Sequence, residues 1–263
     1  MTSLEGFTTT SFSAGGKTRE VFTIGSGPGV IVIAEIPGIT PKVMEFARRV
    51  AGIGCTAWLP RLFGEPGGAP SRTAMLRSVA PACVSAEFAA FATNTSRPVT
   101  VWLRALAAHA HEQCGGPGVG AVGMCFTGGF ALAMTVDDVV IAPVLSQPSL
   151  PLPLGAKRRR DVGLSPADLE RVKQRCAAEP DLCVLGLRFT ADRAVPAERF
   201  QRLREELGDK FVAVELDSSP GNPYGHPKAA HSVLTEHLQD REGTPTRDAL
   251  NQVLELFRSR LLV

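Results

Sequence analysis

Short apolar runs rich in β-branched residues alternate with longer amphipathic segments along most of the chain, and this alternation constrains the fold more than any other feature. The run Gly29–Ala34 reads GVIVIA, which is typical of a strand buried on both faces. The next segment, Pro41–Gly52, carries apolar residues at helical spacing. Repetition of this strand and helix order predicts an α/β fold, a mostly parallel sheet with helices on both faces.

The pattern predicts about seven or eight strands in one domain of residues 1–263, without a large cap domain. We expect residues 145–165, which are rich in proline and arginine, to be a surface excursion over the active-site edge of the sheet. The predicted strands are 20–24, 29–34, 55–59, 119–124, 139–144, 182–189 and 211–216. The predicted helices are 41–52, 74–92, 99–113, 126–135, 166–178, 196–207 and 244–262.

The composition excludes several classes of protein. Hydrophobic residues make up 44% of the chain and charged residues 21%, which is ordinary for a soluble globular protein. A net charge of +2 gives no field that would attract nucleic acid or a membrane surface. No apolar run is long enough to span a bilayer, and the N-terminal segment lacks an export signal. We therefore expect a cytoplasmic monomer or small homo-oligomer without nucleic-acid or membrane partners.

The sequence gives no sign of a cofactor. Its six cysteines are scattered without CxxC pairs, and its histidines lack metal-ligand spacing. The GxGxxG and Walker patterns of nucleotide-binding loops are also missing from the sequence. We therefore expect neither a metal nor an organic cofactor, and any reactive cysteine requires a special environment.

One cysteine has such an environment. Cys125 lies in the segment 123–129, GMCFTGG, where a predicted strand meets a helix almost without a loop. A tight turn there lifts the sulfur above the C-terminal edge of the sheet, and the backbone N–H groups of the following helix favour a thiolate. The alternative is a small buried residue at a strand end. The flanking glycines favour a nucleophile.

Four segments together resemble the dienelactone hydrolase family of α/β-hydrolases. They are Glu35-Ile36-Pro37-Gly38, the Cys125 turn, Asp192-Arg193-Ala194-Val195-Pro196 and Ala230-His231-Ser232-Val233-Leu234. They occur in the family's order of nucleophile, acid and histidine, and the resemblance covers the chain from about Gly29 to the C-terminus. It implies an α/β-hydrolase fold and a hydrolase of small esters or lactones.

The chemistry of a thiol nucleophile requires a base, for which we choose His231, with Asp192 to orient the imidazole. His226 is the rival base, although it lacks the Ser-Val-Leu that follows His231. The resemblance further implies that Glu35 contacts the cysteine and helps to control its proton. It also implies an oxyanion hole formed by the backbone N–H groups of Ile36 and Phe126.

Two residues depart from the family pattern. Thr127 stands where the family usually has glycine, which predicts a slightly wider turn or a shifted helix. Thr235 stands where the family usually has an arginine that grips a substrate carboxylate, so neutral esters or lactones should be hydrolysed at least as well as a carboxylated dienelactone. Arg72 or Arg77 are candidates to replace that arginine.

Three functions remain open from the sequence. The first is a cysteine hydrolase of small esters or lactones that works through an acyl-enzyme on Cys125. The second is a catalytically silent α/β-hydrolase scaffold that binds a small molecule or a protein partner. The third is a redox-sensing thiol protein. The rate at which Cys125 reacts with iodoacetamide separates the first two, and reversible oxidation by peroxide identifies the third.

Overall fold

The computed structural model describes residues 4–68, 86–88, 92–151 and 153–263 of the chain. These residues form an eight-stranded sheet with the order β1-β2-β4-β3-β5-β6-β7-β8. The first two strands are antiparallel to their neighbours, and the other six are parallel to one another. The mostly parallel sheet predicted from the alternation of strands and helices is confirmed.

The strands are β1 Thr8–Ala14, β2 Lys17–Gly25, β3 Gly29–Ile33, β4 Thr56–Pro60, β5 Val119–Met124, β6 Val140–Ser146, β7 Val184–Phe189 and β8 Phe211–Leu216. The α-helices are α1 Pro41–Gly52, α2 Val99–Cys114, α3 Gly128–Met134, α4 Gly155–Arg160, α5 Pro166–Ala178, α6 Ala197–Leu207 and α7 Pro245–Leu261. Short 3₁₀ helices span Cys125–Thr127 and Gly208–Lys210.

The sequence pattern missed two elements. Strand β1 is an exposed edge strand that pairs only with β2, so its residues have no buried face to produce a clear apolar alternation. Helix α4 lies inside the segment 145–165 and contains no buried residue, so it has no apolar stripe. Most of the predicted helix 74–92 lies outside the described residues.

The sheet separates two hydrophobic cores. In β3 the side chains of Ile31 and Ile33 pack on one face, and those of Val30 and Val32 pack on the other, because successive residues of a strand point to opposite faces. The first core receives side chains from α2, α3, α5 and α6, and the second from α1 and α7. Helices therefore cover both faces, as predicted.

The carboxyl ends of β3, β5, β6, β7 and β8 share one edge of the sheet, because these five neighbouring strands are parallel. Loops that follow parallel strands meet at this edge, where α/β proteins bind their ligands. Among the described residues no helix is both long enough and apolar enough to cross a membrane.

Candidate active site

The predicted site residues follow different strands and meet at this edge. Glu35 follows β3, Cys125 follows β5, Asp192 follows β7 and His231 lies in the long connection between β8 and α7. One oxygen of Glu35, the sulfur of Cys125 and a ring nitrogen of His231 all lie within 4.8 Å of one another. The fold therefore brings together residues that are up to about two hundred positions apart in the chain.

Cys125 occupies a strained turn. Its φ angle is 57°, in the left-handed region that non-glycine residues rarely adopt and that costs about 1 kcal/mol or more. The turn is possible because Gly123 and Gly128 flank it. A Cβ on Gly123 would lie 2.1 Å from the carbonyl oxygen of Thr127, and one on Gly128 would lie 2.6 Å from Cα of Pro148. Glycine at both positions lets the chain turn sharply beneath the sulfur.

Thr127 ties this turn to the sheet. Its side chain is completely buried, and its hydroxyl accepts a hydrogen bond from the Met124 N–H at 2.8 Å. The same hydroxyl lies 2.8 Å from the Ile33 carbonyl and 2.9 Å from the Met124 carbonyl, either of which can accept its proton. Thr127 thus adds a side-chain link between the ends of β3 and β5, which a glycine at this position does not provide.

Asp192 and His231 form a close pair. Asp192 Oδ2 lies 2.6 Å from His231 Nδ1, and Asp192 Oδ1 accepts the Ala194 N–H at 2.9 Å. Each carboxylate oxygen therefore has a defined partner, and the buried Asp192 side chain cannot rotate freely. Because Nδ1 donates to the carboxylate, the other ring nitrogen, Nε2, is left to face Cys125.

The surroundings of His231 favour its protonated form. Burial by itself would lower the pKa of His231, but its hydrogen bonds to Asp192 and Cys125, and the negative charges of these two groups, raise the pKa to about 11. A positively charged imidazole beside a cysteine favours the thiolate, which is the nucleophilic form of the side chain.

Glu35 is a buried carboxylate with three hydrogen-bond donors. Ser232 Oγ donates to it at 2.6 Å, Gln147 Nε2 donates at 3.3 Å, and the Thr235 hydroxyl donates to its other oxygen. These bonds offset the cost of burying the charge. Thr235 is 2% exposed and points at Glu35, so it belongs to the support of this carboxylate.

Three residues of the site carried no signal in the sequence. Gln147 is fully buried with a φ angle of 37°, and its side chain links Glu35 to the Val233 N–H. Ser149 Oγ lies 3.1 Å from Cys125 Sγ, and its own N–H donates to the Cys125 carbonyl. His237 Nδ1 accepts the N–H groups of His231 and Ser232. All three lie in loops, where no periodic pattern marks a residue as structural.

His237 is therefore a supporting residue. Burial lowers its pKa, and repulsion by His231 lowers the pKa further. The neutral ring keeps Nδ1 available as an acceptor. His226 is not among the residues of the cluster or of the cleft lining; it is 4% exposed, and its ring packs against Phe189 at a centroid distance of 5.0 Å. Its Nε2 has no hydrogen-bond partner among the described residues.

An open cleft of about 620 Å³ gives access to the cluster. Arg193 and Lys228 contribute exposed positive charges to its wall. The complete lining consists of Cys125, Ser149, Ala191, Asp192, Arg193, Ala194, Lys228, Ala229 and His231. Thr235 is absent from this lining. The two arginines considered from the sequence, Arg72 and Arg77, lie outside the described residues.

Comparison with protein families decides the relationship. The dienelactone hydrolase family model matches residues 20–261, which is nearly the whole chain. The chain belongs to the dienelactone hydrolase family. It is thus a hydrolase of the ester or lactone type with an α/β-hydrolase fold, as the four sequence segments indicated. No curated protein matches the chain with significant sequence similarity.

Solved structures agree on the fold. A putative dienelactone hydrolase from Klebsiella pneumoniae subsp. pneumoniae is 18% identical with a TM-score of 0.64, over 95% of this chain and 97% of that one. A dienelactone hydrolase-like promiscuous phosphotriesterase from metagenomic libraries is 19% identical with a TM-score of 0.63, over 97% and 98%. A cold-adapted esterase from an Arctic intertidal metagenomic library is 15% identical with a TM-score of 0.56, over 96% and 92%.

Proposed function

We propose that the protein hydrolyses small esters or lactones through an acyl-enzyme on Cys125. The observation that carries this proposal is the arrangement of Cys125, His231 and Asp192. A strained turn presents the sulfur to an open cleft, a histidine faces the sulfur, and a buried carboxylate orients that histidine at 2.6 Å. Nucleophile, base and orienting acid are the three parts that nucleophilic catalysis requires.

Acylation begins with the proton of Cys125 on His231. The thiolate attacks the ester carbonyl and forms a carbon–sulfur bond, and the negative charge moves to the carbonyl oxygen. The N–H groups of Ile36 and Phe126, which follow the ends of β3 and β5 beside the sulfur, bind this oxyanion. His231 then gives its proton to the leaving alkoxide, which departs as the alcohol.

Deacylation uses the same residues in reverse. His231 takes a proton from a water molecule that attacks the thioester carbonyl, and the carbon–sulfur bond breaks to release the carboxylic acid. The returning thiolate is stabilised by the Ser149 hydroxyl, which can donate to it across 3.1 Å. Glu35 lies within 4.8 Å of the sulfur, and we propose that it helps to control the proton of Cys125 when substrate enters.

The substrate we propose is neutral and small. Among the described residues the cleft lining holds one arginine and one lysine, Arg193 and Lys228, and both are exposed. Exposed ion pairs contribute only about 0–1 kcal/mol. A buried arginine that grips a carboxylate would contribute more, but the position at which the resemblance places such an arginine is Thr235 in this chain. We therefore propose short-chain esters and unsubstituted lactones as substrates, because they carry no charge that a buried arginine would have to pair.

Rapid-quench mass spectrometry with p-nitrophenyl acetate tests the mechanism. The acetyl group should appear on the peptide that contains Cys125 and should disappear as acetate is released. Acetylation of another residue at a rate equal to turnover would contradict it. For the scaffold alternative, Cys125 would react with iodoacetamide no faster than a free thiol and no ester in a panel would be hydrolysed.

A further inference from the structure

The catalytic cluster also contains the ligand set of a transition-metal site. A carboxylate oxygen of Glu35, the sulfur of Cys125 and a ring nitrogen of His231 lie within 4.8 Å of one another. In a tetrahedral zinc site, with bonds of about 2.0–2.3 Å, ligand atoms are roughly 3.3–3.6 Å apart. A contraction of at most about 1.5 Å would therefore bring the three atoms to zinc spacing, which small side-chain rotations can supply.

The groups around these three ligands are those that a zinc site needs. Histidines that bind metals usually donate their other ring nitrogen to a carboxylate, and His231 does so to Asp192 at 2.6 Å. Carboxylate ligands are in turn hydrogen-bonded, as Glu35 is. Its two oxygens offer about four lone-pair sites, and the donors Ser232, Gln147 and Thr235 occupy three of them. One site remains for a cation.

We propose that Glu35, Cys125 and His231 bind one zinc ion, which reversibly stops hydrolysis. The fourth position faces the cleft and takes water. Binding forms zinc–sulfur, zinc–nitrogen and zinc–oxygen bonds, and protons held on the three ligand atoms leave to solvent. A thiolate and an imidazole select zinc over magnesium and calcium, which prefer oxygen ligands.

The expectation that no metal binds, which came from the sequence, does not apply to a site of this kind. That argument used the short spacings of histidines and cysteines in zinc-binding motifs. Here the three ligands lie in connections that follow different strands and are separated by 90 and 106 positions, as their numbers show. Only the parallel order of the strands brings them together.

Calorimetry with zinc chloride tests whether zinc binds. Zinc binding does not depend on the proposed function, whereas the inhibition of ester hydrolysis rests on that function. The full-length protein should bind one zinc ion and release protons, read from the heats in two buffers of different ionisation enthalpy. The same protein with cobalt chloride should show the thiolate-to-cobalt charge-transfer band. Magnesium chloride at the same concentration should produce neither signal.

Variants locate the ion. C125S and H231N should each weaken zinc binding at least about tenfold, and D192N should weaken it about 10–100-fold through the orientation of His231. E35D, which withdraws the carboxylate by one methylene, should weaken it while the cobalt band persists. E242Q is the matched control, because Glu242 is an exposed residue of the same connection between β8 and α7 and lies outside the cluster. Its affinity should equal that of the wild type.

Two results would overturn the site. The first is wild-type zinc affinity in folded C125S or H231N, and the second is a cobalt complex without the thiolate band. If zinc binds as expected and a chelator restores full ester hydrolysis, the inhibition is supported. If the zinc-saturated protein hydrolyses esters at the full rate, the inhibition is wrong. Zinc binding at Cys125 in a protein that hydrolyses no ester would support the site and refute the proposed function alone.

Discussion

Replacement of His231 by asparagine should distinguish this proposed catalytic histidine from its rival, His226. Asparagine cannot carry a proton between Cys125 and the leaving group, because it has no counterpart of Nε2, although its amide can still donate to Asp192 in place of Nδ1. General acid and base catalysis contributes typically about 10²–10⁴-fold, so kcat should fall at least about a hundredfold. The matched control is His226→Asn, which changes a buried ring outside the cleft and should leave kcat nearly unchanged.

The assay is steady-state hydrolysis of p-nitrophenyl acetate at neutral pH, with thermal melting to verify that both variants fold. Packing of His226 against Phe189 means that His226→Asn can lower the melting temperature without a change in kcat. A hundredfold loss in His226→Asn together with a wild-type rate in His231→Asn would refute the assignment and transfer the role of base to His226.

The wild type and the His231→Asn variant also provide a test of pH dependence. The pKa of His231 is raised from its usual value of 6.5 to about 11, so the folded protein holds this proton more tightly than the unfolded chain. The stability from this group is complete below about pH 6.5 and is lost as pH rises toward about 11. The difference in unfolding free energy between wild type and His231→Asn should therefore shrink over this range, measured by urea unfolding. A difference in unfolding free energy that stays constant over this pH range would contradict the raised pKa of His231.

Three further predictions concern the surroundings of Cys125. Asp192→Asn should lower kcat by roughly tenfold or more, because the wrong imidazole tautomer is then populated, and a wild-type rate would remove Asp192 from the mechanism. Ser149→Ala should slow alkylation of Cys125 by iodoacetamide at neutral pH about tenfold, since a hydrogen bond to a charged group contributes about 1.5–3 kcal/mol. Ser149→Thr should keep the wild-type alkylation rate, and an unchanged rate in the alanine variant would exclude the hydrogen bond. The kcat/KM for a carboxylated lactone should be less than about tenfold higher than that for its methyl ester, because Arg193 and Lys228 are exposed. A larger preference for the free acid would demonstrate a carboxylate clamp.

The sheet and most of its helices could be predicted from the sequence because burial leaves a periodic signature. Helix α1 has the predicted bounds, Pro41–Gly52, and β5 has the predicted bounds, Val119–Met124. The elements that the pattern missed, β1 and α4, lie at an exposed edge and on an exposed surface. At these exposed positions few side chains pack into a core, so the periodicity of apolar residues is weak.

The positions of the candidate catalytic residues could be predicted only where a sequence motif marks the end of a strand. The sequence indicated Cys125, but the contact of its sulfur with Ser149 depends on how the loop after β6 folds. The network around Glu35 joins residues 197 and 200 positions apart. No local pattern encodes such pairs, because they are produced by the topology of the whole sheet.

The central claim is that the sulfur of Cys125 performs the reaction, and the activity of Cys125→Ala tests it most directly. The side chain lies at a cleft and is only partly buried, so its truncation removes the nucleophile without opening a large cavity in the core. We predict that the variant melts like the wild type and that its hydrolysis of p-nitrophenyl acetate falls to the uncatalysed rate. Wild-type activity in a normally folded Cys125→Ala would contradict the account.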